Sequence, residues 1–239
     1  MEREIKEYIN KKDIINIVLD CWNDTFINND IICLSDFSSE EKILQILVDI
    51  KKYLSVYISY TSMFHKNINI LSYAHEINIS PFFNKNEAID IINKSSNSEK
   101  VIIHNSDILD DDLINVIHEK NFLKQIKIIF YDINLNNINL NNIYKIMEIK
   151  SLEVLHLQSQ IINPQQIAKI LCYVINNLNK YMKIVFDCDH MDSRETQHYL
   201  KLFKYNFKVH QNDYIFDYVP VSFRKFNFYD LNFIYFIKN

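Results

Sequence analysis

The sequence predicts an α/β fold: a βα-repeat solenoid in which a curved parallel sheet carries helices on its convex side. Short β-rich runs alternate with helical runs from about residue 68 onward. Apolar anchors at positions 101, 128, 155, 184 and 207 recur after 27, 27, 29 and 23 residues. Hydrophobic residues form 48% and charged residues 23% of the 239-residue chain, as in ordinary globular proteins.

Residues 1–67 are predicted to form an N-terminal helical region that shields the first repeat. The first helix is indicated by apolar residues before Leu19, and Ser38 and Ser39 offer capping groups for a second helix. The second helix has one apolar face, formed by Ile43, Ile46, Leu47, Ile50, Leu54 and Ile58.

Residues 68–218 are predicted to contain the repeats. The strand candidates are 101–103, 126–130, 154–157 and 183–186. The helix candidates are 86–94, 109–119, 141–149, 164–178 and 192–203. Pro164 suits the first turn of its helix because the missing N–H of proline is not needed there.

One repeat unit has a distinct spacing, Leu152-x-x-Leu155-x-Leu157-x-x-Gln160-x-Ile162. It resembles the consensus LxxLxLxxNxL of the leucine-rich repeat superfamily, with Gln160 at the asparagine position. The segments 181–191 and 207–214 fit the same frame, and the register near 126–129 is left open. The resemblance implies stacked repeats with one continuous core. An open α/β sheet is the competing architecture.

The third predicted domain, residues 219–239, is dense in aromatic residues and is expected to cap the solenoid. Seven aromatic residues lie within 14 positions, namely Phe223, Phe226, Phe228, Tyr229, Phe233, Tyr235 and Phe236. A solenoid needs such a cap at its open end. The alternatives are an exposed docking patch for a partner or a base-stacking platform, although few cations accompany these aromatic residues.

The segment from Phe37 to Ile68 resembles an F-box. It has an acidic start, the Ile46-Leu47 pair, the later Leu54 and then Tyr60-Thr61-Ser62-Met63-Phe64, with Phe64 where the family has tryptophan. The Leu-Pro and the lysine of the family motif are missing. The resemblance implies that Leu54 and Phe64 dock a cullin-adaptor protein and that the repeats hold a ubiquitylation substrate.

Composition excludes several functional classes. The chain has no glycine, so it cannot contain a P-loop, a GxGxxG fingerprint or a GxSxG elbow. Its net charge of −4 gives no basic footprint for nucleic acid. The charged N-terminus, the absence of a long apolar run and the four cysteines without a CxxC pair favour an intracellular, cytoplasmic protein, with the nucleus possible and no membrane contact. No cofactor is expected.

Acidic residues at strand ends leave an enzyme as the alternative function. Asp187 and Asp189 follow a predicted strand, about 6.5–7 Å apart on one face, a spacing that could hold a divalent cation. Asp132 follows another strand. In open α/β sheets ligands bind beyond the carboxyl ends of strands, so these acids would suit a small metal-dependent enzyme. The favoured interpretation of the cluster is a polar strand end and turn.

The repeat frame places a ladder of side chains on the concave face of the sheet. The candidate binding residues are His104, Tyr131, His156, Gln158, Asp187 and His210. A ladder that mixes aromatic, histidine and apolar groups can recognise a protein surface. The predicted function is therefore a non-catalytic scaffold that binds a protein partner through its repeat surface.

Overall fold

A computed structural model describes residues 7, 9–19, 26–28, 31–34, 52–58, 69–104, 106–130, 139–161, 164–190, 207–210 and 215–218. The chain divides into two compact units, Met1–Leu123 and Lys124–Asn239. Each unit combines parallel strands with helices, so the predicted α/β class is confirmed. The candidate helix 192–203 and the predicted cap 219–239 lie outside the described residues, as does the predicted boundary at 67/68.

The first unit contains a sheet with the strand order β2-β3-β1-β4-β5-β6. The strands are β1 (Ile14–Leu19), β2 (Phe26–Asn28), β3 (Ile31–Leu34), β4 (Tyr53–Ile58), β5 (Glu76–Ile79) and β6 (Lys100–Ile103). All neighbouring pairs are parallel except β2 and β3, which are antiparallel. Strands β4, β5 and β6 follow one another in space as they do along the chain.

The second unit contains strands in the order β7-β8-β9-β11-β10. They are β7 (Gln125–Phe130), β8 (Val154–Ile161), β9 (Met182–His190), β10 (Phe207–His210) and β11 (Ile215–Tyr218). Strands β7, β8 and β9 are parallel and sequential, whereas β11 pairs antiparallel with both β9 and β10.

Four helices connect or follow these strands at the positions that the sequence predicts. They are α1 (Lys85–Lys94), α2 (Asp111–His118), α3 (Leu140–Met147) and α4 (Pro164–Asn177). Asn84 and Glu87 form a capping box at the start of α1, and Asp110 accepts a bond from the Leu113 N–H at 3.1 Å at the start of α2. Pro164 opens α4, as expected for a first-turn proline.

The buried apolar residues of β4, β5 and β7 alternate with half-exposed residues, as expected when helices cover one face of the strands. In β4 and β7 every second side chain is buried, and β5 has the same pattern. In β6, by contrast, Val101, Ile102 and Ile103 are all buried. Connections between parallel strands are nearly always right-handed, so strands that advance in one direction place their helices on the same face. In agreement, α1 packs beside α2, and α3 packs beside α4. The other face of the parallel strands has no connecting helix among the described residues.

Segments that precede neighbouring strands of the sheet are joined by side chains that donate to backbone carbonyls. The donors and acceptors are Lys52 with Ile9 and Lys12, Asn97 with Ser72, Ser98 with Ala74, and Lys180 with Ile149 and Leu152. Each donor lies in the segment before a strand, and each acceptor lies in the helical or turn segment before the neighbouring strand. These bonds satisfy carbonyls that the sheet leaves unpaired.

The predicted helical region 1–67 is helical at residues 7 and 9–11, but the rest of its described part is mainly strand. Residues 14–19 and 53–58 are strands, and shorter strands lie at 26–28 and 31–34. In β4 the buried residues Leu54, Val56 and Ile58 alternate with the half-exposed residues Tyr53, Ser55 and Tyr57. Leu54 and Ile58, which are four residues apart, fit one side of a helix equally well. β-Branched and aromatic residues favour the strand, because they pack well on a pleated surface.

Two details of the repeat frame are also wrong. The segment at 207–214 is not a further parallel repeat, since β10 is the outer strand of an antiparallel pair with β11. The β7 frame is displaced by two residues, because Ile126 and Ile128 pair with Leu155 and Leu157. A displacement of two keeps the same face but moves each side chain along the strand. The frames of β8 and β9 are confirmed by the pairing of Leu155 with Ile184.

Candidate binding surface

The half-exposed residues of β7, β8 and β9 form three cross-strand rows, here named the second-unit face. The rows are Gln125, Val154 and Lys183; Lys127, His156 and Val185; and Ile129, Gln158 and Asp187. Residues paired across parallel strands lie on the same side of the sheet. The residues between them, such as Leu155, Leu157 and Ile184, are completely buried in the core.

A lysine and a histidine converge on one carboxylate in this face. Nε2 of His156 lies 3.4 Å from Oδ2 of Asp187, and Nζ of Lys127 lies 3.9 Å from the same oxygen. The side chains of His156 and Lys127 are 18% and 20% exposed, whereas that of Asp187 is 47% exposed. The two nitrogen-bearing side chains are therefore embedded in the face, and the carboxylate is its exposed member.

The structure brings three residues of the predicted ladder together. His156, Gln158 and Asp187 lie on the second-unit face, where Gln158 and Asp187 are direct cross-strand partners. His210 pairs with Ile215, which in turn pairs with Val185, so its backbone is in register with the row that contains His156. Tyr131 lies outside the described residues.

Lys127 is the residue of this face that the ladder omitted. Because the predicted β7 frame is displaced by two residues, it places Ile129 beside His156 and Tyr131 beside Gln158. In the structure these two positions are occupied by Lys127 and Ile129. The signal was present in the sequence. In the strand Gln125–Phe130, Lys127 is the one charged residue, and it lies between two isoleucines that face the core.

The first unit has a comparable surface, here named the first-unit face. Its rows are Asn16, Ser55, Glu76 and Lys100, followed by Val18, Tyr57, Asn78 and Ile102. Glu76 is the centre of the first row. Its carboxylate accepts from Oγ of Ser55 at 3.1 Å and forms an ion pair with Nζ of Lys100 at 2.8 Å. This carboxylate and this ammonium therefore neutralise each other.

Tyr53 borders this row and packs on His75, with ring centroids 5.2 Å apart and planes 28° apart. Its hydroxyl lies 3.5 Å from Oε2 of Glu76. Burial, followed by the nearby carboxylates of Glu76 and Glu99, raises the pKa of Tyr53 to about 12. The phenol is therefore protonated at neutral pH and donates to Glu76.

His104 of the predicted ladder lies on the first unit, just after β6. Its ring contacts the edge of Tyr57, with centroids 6.1 Å apart and planes 76° apart. Asn78 lies in the same row as Tyr57, and its Oδ1 is buried and accepts no hydrogen bond from the part of the chain that the structure describes. A buried amide oxygen without a donor is costly, so replacing Asn78 with an apolar residue is expected to stabilise this unit.

The residues of the two alternative functions are not assembled into a site within the described residues. Leu54 is 3% exposed in β4, and Phe64 lies outside these residues. Asp187 is exposed, and Asp189 lies near the end of β9. Asp132, like Phe64, lies outside the described residues. No group of three or more His, Cys, Asp or Glu side chains that could hold a metal occurs in the described ranges.

Comparison with protein-family models, with curated proteins and with solved structures found no match. No helix within the described part of the chain is both long and apolar enough to span a membrane.

Proposed function

We propose that the protein is a non-catalytic scaffold that binds a partner protein through the strand faces opposite its helices. The observation that carries this proposal is the alternation of buried and half-exposed residues in parallel strands. Parallel sheets are usually covered on both faces, and their strands are then apolar throughout. Here every second residue of β4 and β5 is polar or aromatic. In β7 and β8 the same positions hold Gln125, Lys127, His156 and Gln158 together with the apolar Ile129 and Val154.

The composition of the two faces supports recognition of a protein. The first-unit face carries tyrosine, asparagine and serine, and the second-unit face carries histidine, glutamine and lysine. Tyrosine offers a large contact area at low entropic cost, and small polar residues adapt their hydrogen bonds to a partner. Strands also hold these side chains at fixed spacings, which lowers the ordering cost of binding.

The repeat arrangement supports the solenoid architecture that we propose for each unit. Strands β4, β5 and β6 are sequential in the first unit, as are β7, β8 and β9 in the second. The turns before neighbouring strands are joined by side-chain bonds from Asn97, Ser98 and Lys180. Such nearest-neighbour coupling is typical of repeat proteins, including the leucine-rich repeats that the sequence resembles.

The proposal is tested by selecting peptides from a random displayed library on the immobilised full chain. Selected peptides are then measured against a triple variant of the second-unit face, Lys127→Ala, His156→Ala and Gln158→Ala. These side chains are outside the core, so the variant is expected to fold. The matched control replaces exposed helix residues, Gln165→Ala, Lys169→Ala and Asn176→Ala.

We expect selected peptides to bind the wild type and the helix variant equally and to lose most of their affinity for the face variant. The same peptides are then tested against Tyr57→Ala in the first unit. A selection whose peptides all bind both triple variants and Tyr57→Ala as tightly as the wild type would contradict the proposal.

A further inference from the structure

We propose that the second-unit face binds an acidic, extended segment of the partner protein, whose carboxylates are received by Lys127 and His156. This inference rests on the proposed function and specifies the chemistry of the partner. The carboxylate of Asp187 shows what the pair accepts, because Nε2 of His156 and Nζ of Lys127 lie 3.4 Å and 3.9 Å from its Oδ2. A carboxylate of the partner would take this position, and Asp187 would turn to solvent.

The exposure of the three groups favours this exchange. Lys127 and His156 are about four-fifths buried by their neighbours, while Asp187 is 47% exposed. The two receiving groups are therefore already ordered, so a partner pays little further entropy to use them. Partly desolvated charges also attract a carboxylate more strongly than fully exposed charges do. Asp187, by contrast, can leave with little loss of packing.

The described side chains of the second-unit face carry a small excess of positive charge. Among its described side chains, Lys127 and Lys183 stand against Asp187, whereas the whole protein has a net charge of −4. Gln125 and Gln158 add amide donors in the adjacent rows. Amides and ammonium groups together suit an extended peptide, whose alternate side chains present carboxylates on one side. The first-unit face has no such excess, since Lys100 is paired with Glu76.

The test measures binding of a fluorescent peptide of alternating glutamate and serine to the full chain by anisotropy at low salt. A peptide of alternating lysine and serine is its matched control. Two variants of the face each remove one charge and are expected to act in opposite directions. Lys127→Gln should weaken binding roughly tenfold, because the receiving cation is lost. Asp187→Asn should tighten it by about 3- to 10-fold, because the competing carboxylate is lost. Lys169→Gln, on the exposed side of α4, should have no effect.

Equal binding of the lysine peptide would overturn the inference, and so would Lys127→Gln and Asp187→Asn shifting the affinity in the same direction. A single-stranded oligonucleotide that binds as tightly as the glutamate peptide, with the same response to both variants, would show a general anion surface and also overturn it. Failure here is distinguishable from failure of the proposed function. If library peptides depend on the face but lack carboxylates, the scaffold function stands and only the acidic partner is rejected.

Discussion

Replacing Lys180 with methionine is expected to remove a pH dependence of stability. The ammonium group of Lys180 donates to the carbonyl oxygen of Leu152 at 3.0 Å and to that of Ile149. Burial lowers the pKa of Lys180 from 10.5 to about 8. Between pH 8 and pH 10.5 the unfolded chain therefore keeps a proton that the folded chain has released.

The sign and size of the effect follow from this difference. Because the unfolded state binds more protons in that window, the free energy of unfolding rises as the pH is raised through it. Complete conversion of the pKa difference would give about 3 kcal/mol. Lys180 is only half-buried, and screening by solvent reduces the expected rise to roughly 1–2 kcal/mol. Below the window the cost of burying the charge is fully present.

The assay is urea unfolding, followed by circular dichroism, at a series of pH values through the window. Wild type and Lys180→Met are compared with Lys169→Met, which removes an exposed lysine of the same unit. The stability of the wild type relative to Lys180→Met should increase with pH, whereas its stability relative to Lys169→Met should stay constant. An equal pH dependence for wild type and Lys180→Met would refute the reasoning, since it would place the ammonium group in solvent in the folded chain.

Three further predictions concern the sheet faces. Leu157→Ala should lower the free energy of unfolding by about 2–5 kcal/mol, because it opens a cavity in the core. His156→Ala, at the preceding position, should change the free energy of unfolding by less than about 1 kcal/mol. Urea titration of both variants checks the alternation of buried and half-exposed residues, and similar losses for the two variants would contradict it. Asn78→Leu should raise the free energy of unfolding by about 1 kcal/mol, because it removes a buried amide oxygen that has no donor in the described structure. The control is Asn115→Leu, on the exposed side of α2. A loss of stability on replacing Asn78 would show that its amide is satisfied. Tyr53→Phe should reduce the loss of stability above pH 10. The pKa of Tyr53 is raised from 10.0 to about 12, so the folded chain keeps a phenolic proton that the unfolded chain loses. Thermal melts of the wild type and Tyr53→Phe at alkaline pH test this, and equal losses of stability in the two proteins would contradict it.

Strand and helix positions in the second unit could be predicted because several signals agreed there. Leu155 and Leu157 alternate with polar residues, Pro164 marks the start of the following helix, and Ile184 repeats the same alternation one repeat later. Local propensity, capping and periodicity all indicate one structure in such a segment. As a result, the frames of β8 and β9 and their shared face were correct from the sequence alone.

The N-terminal region could not be predicted because isoleucine-rich segments satisfy two periodicities at once. Leu54 and Ile58 are four residues apart, which fits one side of a helix, and with Val56 they also fit one side of a strand. The pairing of β4 with β1 and β5 decides between the two, and that information is not local. Tertiary pairing therefore overrode the helical pattern.

The direction of a strand and its register were likewise hidden from sequence. The run Phe207–His210 alternates as the repeat strands do, but it pairs antiparallel with Ile215–Tyr218. Alternation specifies which face a residue takes and not which way the strand runs. For the same reason, Ile126, Ile128 and Phe130 offered two equivalent frames, and Lys127 was missed as a member of the face.

The most direct test of the scaffold function is site-specific photo-crosslinking in the cells that make the protein. A benzophenone amino acid is placed at Gln158, in the second-unit face, and in a separate chain at Asn176, on the exposed side of α4. A discrete crosslinked partner is expected from Gln158 that is absent from Asn176 and is lost when Lys127→Ala is added. Crosslinks to the same proteins from both positions, or a partner captured only from Asn176, would contradict it.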